Sequence, residues 1–271
     1  MRQTDSVFST ILTKIGDGMA LTIEENKIIE SRFVSREFVD QEHPQAIRIF
    51  FRTSDVNQYN QESITGKDVI EYVANDYYTG YKTQDQLISA RTKVHKLKPD
   101  ETGGLPFMLR LLIGKPYMIR TNIDVIDSLV NGAIGILSYI EKDYETNCIK
   151  RLWLSFENKK IGKLLRIKAQ AHIASNKEIN YSWTPISLRT STIQTSSKII
   201  TYKRTQFPII EACAITTHKS QGVTFDKIVY EYSKSHEQQL VYVALLRVTS
   251  LNGLYLTNHQ KDYTFYHRQK K

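Results

Sequence analysis

Two stretches carry the residue types of phosphate chemistry. In "THKSQG", Thr217 to Gly222, hydroxyl, imidazole, ammonium and amide side chains follow an apolar run. A turn of this kind can offer backbone N–H groups and polar side chains to phosphates, and Gly222 permits close approach of the backbone. Further on, "EQQLVYVALLRVTS" reads as a helix that sets Leu240, Val243, Ala244 and Arg247 along one stripe. An arginine ending an apolar face sits at the rim of whatever that face buries. There a guanidinium can stabilise charge on a transferring phosphoryl group, or simply make a structural salt bridge. Each stretch alone is a weak signal.

The loop that normally holds the phosphates is missing from the 271 residues. It needs a glycine, four residues, then Gly-Lys and a hydroxyl residue, because backbone N–H groups cradle the phosphates while the hydroxyl binds Mg²⁺. Gly66-Lys67, Gly114-Lys115 and Gly162-Lys163 are followed by Asp, Pro and Leu. The Asp100-Glu101 pair follows "KLKP" rather than an apolar strand, so it makes no acidic metal-binding motif. The histidines show no metal-ligand spacing, and no metal site is expected.

Charge points to a polyanion. The chain has 37 Lys and Arg against 28 Asp and Glu, a formal net charge of +9. Between Lys150 and Arg204 stand twelve basic residues, among them Lys159, Lys160, Lys163 and Arg166, and only two acidic ones, Glu157 and Glu178. Such a single-sign concentration attracts nucleic acid before other partners. Trp153, Tyr181, Trp183 and Tyr202 within it could stack on bases or, as is commoner, fill a small core. Cys148 and Cys213 give neither a disulfide framework nor a metal set and read as two buried reduced thiols, which points to an intracellular compartment. No apolar run is long and uncharged enough to cross a bilayer, so no membrane partner is expected.

The elements that must position these residues are only partly legible. "DSVFSTILTKIGDG" places Phe8, Ile11, Leu12 and Ile15 on one helical stripe, with Asp5 as N-cap and Gly16 as stop. Thr22 and Glu25 have capping-box spacing for a second helix. "AIRIFF" reads as a buried strand, and "SDVNQYN" opens another helix. Residues 63–102 read as mixed helix and loop. "KPYMIR" is a strand, and Asn131-Gly132 is a turn between apolar flanks. From there to about Tyr202, alternating and β-branched runs such as "RLWLSF" and "SKIITY" predict a small all-β insertion coinciding with the basic segment. "FPIIEACAITT", "KIVYEY", the helix at 237–250 and "GLYLTN" return to alternating strand and helix. That alternation predicts an α/β layer with a largely parallel sheet. The "HRQKK" end reads as a basic tail.

In this order and spacing, "THKSQG" and "VALLRV" resemble motifs V and VI of superfamily-one helicases, in particular the Pif and RecD branch and its Helitron-transposon relatives. "RQTDSVFSTILTKIGDG", "IRIFFRTSDVNQYN", "GKPYMIRTNIDVIDSLVNGAIGIL" and "RTQFPIIEACAITTHKSQGVTFD" are similar to successive segments of that family. The resemblance implies an α/β fold: the second RecA-like domain of a P-loop helicase motor carrying a small SH3-like all-β insertion. Residues 1–20 would be the end of a first RecA-like domain and the linker into the second, 21–135 and 203–271 would form the second, and 136–202 the basic insertion, with Asn131 and Gly132 at its start. Arg2 matches an arginine that reaches the γ-phosphate, beside Gln3. Arg247 matches the motif VI arginine finger, so Arg2 and Arg247 are the expected catalytic residues, and Arg2, Gln3, Gly222 and Arg247 the expected nucleotide contacts. Thr217, His218, Lys219, Ser220 and Gln221, with Lys159, Lys160, Lys163 and Arg166, are the expected DNA contacts. Leu246 stands where the motif usually has serine.

The resemblance further implies ATP and Mg²⁺ as cofactors of the complete two-domain motor. It implies single-stranded DNA as partner, 5′–3′ movement, and roles in repair, recombination or telomere maintenance. The nucleus is the favoured location, with the mitochondrion as the alternative. Without the phosphate-binding loop, little ATP hydrolysis is expected from this chain alone. The competing expectations are a nucleic-acid-binding remnant without enzymatic activity and a subunit that completes another ATPase in trans.

Overall fold

A computed structural model describes residues 5–194 and 201–266. In chain order they form α1 (Ser6–Asp17), α2 (Ile23–Glu30), α3 (Arg36–Glu42), β1 (Ile47–Phe50), α4 (Thr53–Ser63), β2 (Ile70–Val73), β3 (Asn75–Thr79), α5 (Gln84–His95), β4 (Met108–Leu111) and β5 (Pro116–Ile119). Then come β6 (Ile134–Lys142), β7 (Ile149–Ser155), α6 (Lys163–Lys168), α7 (Gln170–Ser175), β8 (Trp183–Ser187), β9 (Arg189–Gln194), β10 (Thr201–Gln206), β11 (Ile209–Glu211), β12 (Ala214–Thr216), β13 (Ile228–Glu231), α8 (Gln238–Leu245) and β14 (Leu254–Thr257). They divide into two compact units. One comprises the described residues up to Ser63 and from Cys213 onward, the other residues 64–212.

The first unit is an α/β layer. Its parallel sheet has the order β12-β1-β13-β14, registered by Ile49 opposite both Ile215 and Tyr230. All four residues of β1 and of β14 are buried, as expected of strands covered on both faces. α1 starts where the Asp5 carboxylate accepts from the N–H groups of Val7 and Phe8, and it buries Phe8, Ile11, Leu12 and Ile15. It ends at Gly18, not Gly16. Gly16 lies inside the helix, where a Cβ would come within 2.9 Å of the Tyr242 ring. This helix packs on α8 in the parallel-sheet unit. The Thr22/Glu25 capping box forms as the spacing predicts.

The second unit is mostly antiparallel and contains the described residues of the stretch expected as an insertion, 136–202. The five-stranded order is β11-β5-β6-β7-β8, beside the smaller sheets β3-β10-β9 and β2-β4. β3 pairs with β10 from Thr79↔Thr201 to Asn75↔Thr205, and β5 with β11, which draws residues on both sides of 136–202 into this unit. Two strands, β2 and β3, occupy a stretch read as helix and loop. The short helices α6 and α7 interrupt what was expected to be all-β. Its polar interior includes the carboxylates of Asp76 and Glu141. Arg204, fully buried, donates from Nε and Nη2 to the two oxygens of Asp76, each at 2.8 Å. Glu141 accepts from Arg151 and from the indole of Trp153 at 2.9 Å.

Candidate motor turn and nucleic-acid interface

The 217–222 turn leaves β12 at the carboxyl end of the parallel sheet, the edge where open α/β sheets place ligands. It is wound as successive tight turns. The N–H of Thr217 donates to Phe50 O at 3.1 Å, that of Ser220 to Thr216 O at 3.0 Å, and those of Gln221 and Val223 to His218 O and Ser220 O. The Ser220 hydroxyl donates to Thr217 O at 2.7 Å, and the Thr216 hydroxyl accepts from Lys219 N. Most of its backbone donors are thus spent inside the protein, contrary to the expectation that they face a phosphate. Thr217 and Ser220 are fully buried, while His218, Lys219, Gln221 and Gly222 are exposed. Gly222 holds φ 82° with no atom within 4 Å of where a Cβ would sit, so conformation rather than space requires glycine there.

Arg247 sits just beyond α8, which is shorter than the sequence suggested and buries Leu240, Val241, Ala244 and Leu245 rather than the stripe through Val243. The guanidinium is turned onto the turn. Nη1 donates to the carbonyls of Ser220 and Val223, both at 3.1 Å, and Nε to Val243 O at 2.8 Å. The backbone closes the same junction, with Phe225 N donating to Arg247 O at 2.7 Å. Arg247 therefore fastens the turn to the helix end. Arg2 and Gln3 lie outside the described residues, as does the "HRQKK" tail.

Of the charged residues in the second unit, the structure separates those facing water from those that build it. Lys159, Lys160 and Lys163 are exposed. Arg166 is not among them: Nη1 donates to Ile161 O at 2.7 Å and to the Thr184 hydroxyl at 2.8 Å, and Nη2 to Lys159 O. It shapes the lysine-bearing turn instead of presenting a charge. Gly162, at φ 72°, has Thr184 Cγ2 only 2.4 Å from a Cβ position. The buried Asp127 carboxylate accepts from Leu164 N at 2.7 Å and Leu165 N at 2.9 Å, so the start of α6 is already capped by an internal anion. Arg204 and Arg151, counted in the basic segment, serve the internal carboxylates. Trp153 and Tyr202 are core, while Tyr181 is exposed and Trp183 partly so. Cys148 is exposed rather than buried, and both cysteines are free.

Sequence reasoning missed a cavity of about 150 Å³ in the first unit, where Arg36, Asp40, Arg48 and Glu231 meet apolar Val39, Phe50 and Val229. Arg48 pairs with Asp40, and Arg36 with Glu231 at 3.0 Å, so its charges meet one another. The signal was the arginine in the apolar strand "AIRIFF". Among the described residues no group of three His, Cys, Asp or Glu is placed to hold a metal ion, and no helix is long and apolar enough to cross a membrane.

No family model matches the chain. The Pif1 helicase of Bdellovibrio bacteriovorus, an ATP-dependent DNA helicase, is 24% identical over 261 residues, covering 94% of this chain and 48% of its own length. The chain is similar to Pif1 helicases. The crystal structure of Pif1 from Candida albicans aligns with 99% of it at a TM-score of 0.61 and 22% identity, over 57% of that chain. Bacteroides Pif1 in complex with ADP-AlF3 and ssDNA aligns with all of it at a TM-score of 0.59 and 20% identity, over 52% of that chain. The chain thus has the mixed α/β fold of part of a Pif1 helicase, its parallel sheet consistent with a RecA-like domain. It spans about half the length of these Pif1 relatives.

Proposed function

We propose that this chain acts as the second motor half of a Pif-type DNA helicase: it holds a single DNA strand and supplies the motif V turn and the arginine that together answer to a nucleotide bound elsewhere. The observation that carries this reading is the attachment of the 217–222 turn, at the carboxyl edge of the parallel sheet, to Arg247 at the end of α8. His218, Lys219 and Gln221 on the turn, and Lys159, Lys160 and Lys163 on the second unit, are the groups that reach a strand. Thr217, Ser220 and Arg166 shape the surfaces from within.

The residues present fit ATP only in part. An arginine able to meet phosphoryl charge is there. The sequence offers no Gly-Lys followed by a hydroxyl residue, and at Gly162-Lys163, which opens α6, the N–H groups of Gly162, Leu164 and Leu165 are taken by Asp127. Bound ATP with Mg²⁺ would supply the free energy for stepping, and this chain's part is to couple its own turn to that site. Little hydrolysis is expected from it alone.

The test is ATP turnover by the purified chain, with and without single-stranded DNA, then with a separately produced first RecA-like domain that carries a phosphate-binding loop. DNA-stimulated turnover only after mixing, lost in Arg247→Ala, is the expected result. Turnover by the chain alone, sensitive to that substitution, would overturn the assignment of the phosphate site to another domain. Failure to bind single-stranded DNA at low salt would overturn the reading as a whole. Binding should weaken with salt at about 0.7 logarithmic units per phosphate contact.

A further inference from the structure

Between β5 and β6 the chain makes a tight loop whose outermost residues are aliphatic. Ile126 is 88% exposed and Val125 68%, although nothing in a polar loop requires either. The loop is firmly built. Asp124 and Leu129 exchange backbone hydrogen bonds of 3.1 and 2.9 Å, Ser128 takes φ 58°, and Leu129 is fully buried beneath it. Asp127, next to the tip, ties it to the lysine-bearing turn: its carbonyl accepts from Gly162 N at 2.8 Å and its carboxylate from Leu164 and Leu165 N. On the other side, exposed Arg189 donates to Asn122 O at 3.0 Å. An aliphatic tip held in this way is tied through Asp127 to the turn that bears exposed Lys159, Lys160 and Lys163, and through Asn122 to exposed Arg189. The acids of the loop are engaged, Asp124 accepting from Asp127 N and Asp127 from Leu164 and Leu165 N, while exposed Glu157 stands two residues before Lys159 in the chain.

We infer that Val125 and Ile126 form an apolar wedge that enters between two bases of a single DNA strand whose phosphates lie on the flanking lysines and arginine. Two exposed aliphatic side chains are far too small a patch for a protein interface, which buries several hundred Å² or more. Their cationic surround favours a polyanion with apolar faces between its charges. Aliphatic wedges of this kind unstack base steps, and contacts to the π-faces of bases are tolerant of sequence. The inference rests on the reading of the chain as a DNA-binding motor half, and it adds a contact to bases where that reading needs only phosphates.

The probe is an adenine-rich single-stranded oligonucleotide carrying one 2-aminopurine, whose fluorescence rises when its neighbours unstack. The expected result is a rise on binding that is lost in the Val125→Ser, Ile126→Ser double variant, with about a tenfold loss of affinity. Ile126→Leu should keep the rise. Lys159→Ala, Lys160→Ala and Lys163→Ala combined should instead lower the salt slope by about 2 while keeping the fluorescence rise at saturation. Both substituted tip positions point to solvent, so folding is not at stake. A wild-type chain that binds with no change in fluorescence, or a serine variant that keeps the change, overturns the wedge and leaves DNA binding intact. Failure of the wild type to bind the oligonucleotide overturns the reading beneath it.

Discussion

Arg247 Nη1 lies 3.1 Å from the carbonyl oxygen of Ser220, so the arginine expected to meet phosphate instead closes on the turn expected to meet DNA. The same nitrogen reaches Val223 O, and the planar guanidinium sets Nε on Val243 O of its own helix. One side chain thus bridges the two motifs within one compact unit. If it must also reach a phosphoryl group, it has to leave these carbonyls, and the turn loses its fastening at that moment. Arg247→Ala should then loosen the turn even with no nucleotide present. Hydrogen bonds to a charged donor contribute about 1.5–3 kcal/mol each at most, and not additively. Hydrogen exchange should show faster exchange across 217–225 in the variant. Unchanged exchange there would mean that the contacts seen are incidental. Arg247→Lys should restore little, because one ammonium cannot reproduce the guanidinium's planar fork.

A second prediction concerns the lysine-bearing turn. Asp127→Ala leaves the Leu164 and Leu165 N–H groups without their acceptor and should cost about 1–3 kcal/mol, read from denaturant unfolding. Gly162→Ala should be at least as damaging. It adds backbone strain at φ 72° to a contact of 2.4 Å with Thr184, a β-branched side chain with little room to turn. Both should weaken DNA binding by displacing Lys160 and Lys163, although neither removes a positive charge.

What the sequence disclosed, and what it hid, follows from how local each signal is. The Asp5 cap and the Thr22/Glu25 box are written in residues three or four apart, and both form as expected. Strands β2 and β3 were missed because they are short and paired far away, with Tyr78 buried in a cluster of distant residues that includes Tyr202 of β10, stacked on it at 5.6 Å. Strand character there comes from the partner, not from the residues themselves. Charge was legible in amount but not in direction. Arg204, Arg151 and Arg166 look like Lys160 in a count, yet the first two serve buried carboxylates and the third two carbonyls and the Thr184 hydroxyl. Arg247 is the sharpest case, since its place in the chain was legible and its orientation was not.

The buried pair in the second unit supplies a third prediction. Removing Asp76 by Asp76→Ala strands the fully buried Arg204 and should cost about 3–5 kcal/mol. Tyr202→Phe should go the other way. The Tyr202 hydroxyl is buried with no hydrogen-bond partner, so its removal should be neutral or stabilising by up to about 1–2 kcal/mol. DNA affinity should not change. A loss of DNA binding in Tyr202→Phe would contradict the assignment of this ring to the core.

The last prediction is a loss of stability in mild acid centred on His236. Its ring stacks on Phe51 at 4.6 Å, and its Nδ1 is 2.8 Å from the Tyr230 hydroxyl and accepts from Ser233 N. Burial disfavours the imidazolium and holds its pKa below the ordinary value of 6.5. The same cause lowers His95 and the half-buried His43. With the folded pKa depressed, the unfolded chain binds the extra proton first. Stability should therefore be constant above about pH 7.5 and decline as pH falls through 6.5 toward the lower folded value. Thermal unfolding of the wild type at pH 7.5 and pH 5.5, set against His236→Asn, reads this directly. The substitution should lower stability at pH 7.5, through the lost stacking, and should flatten the dependence between the two pH values. An equally steep decline in the variant would place the titration elsewhere, and His95→Gln would then be the next position to examine.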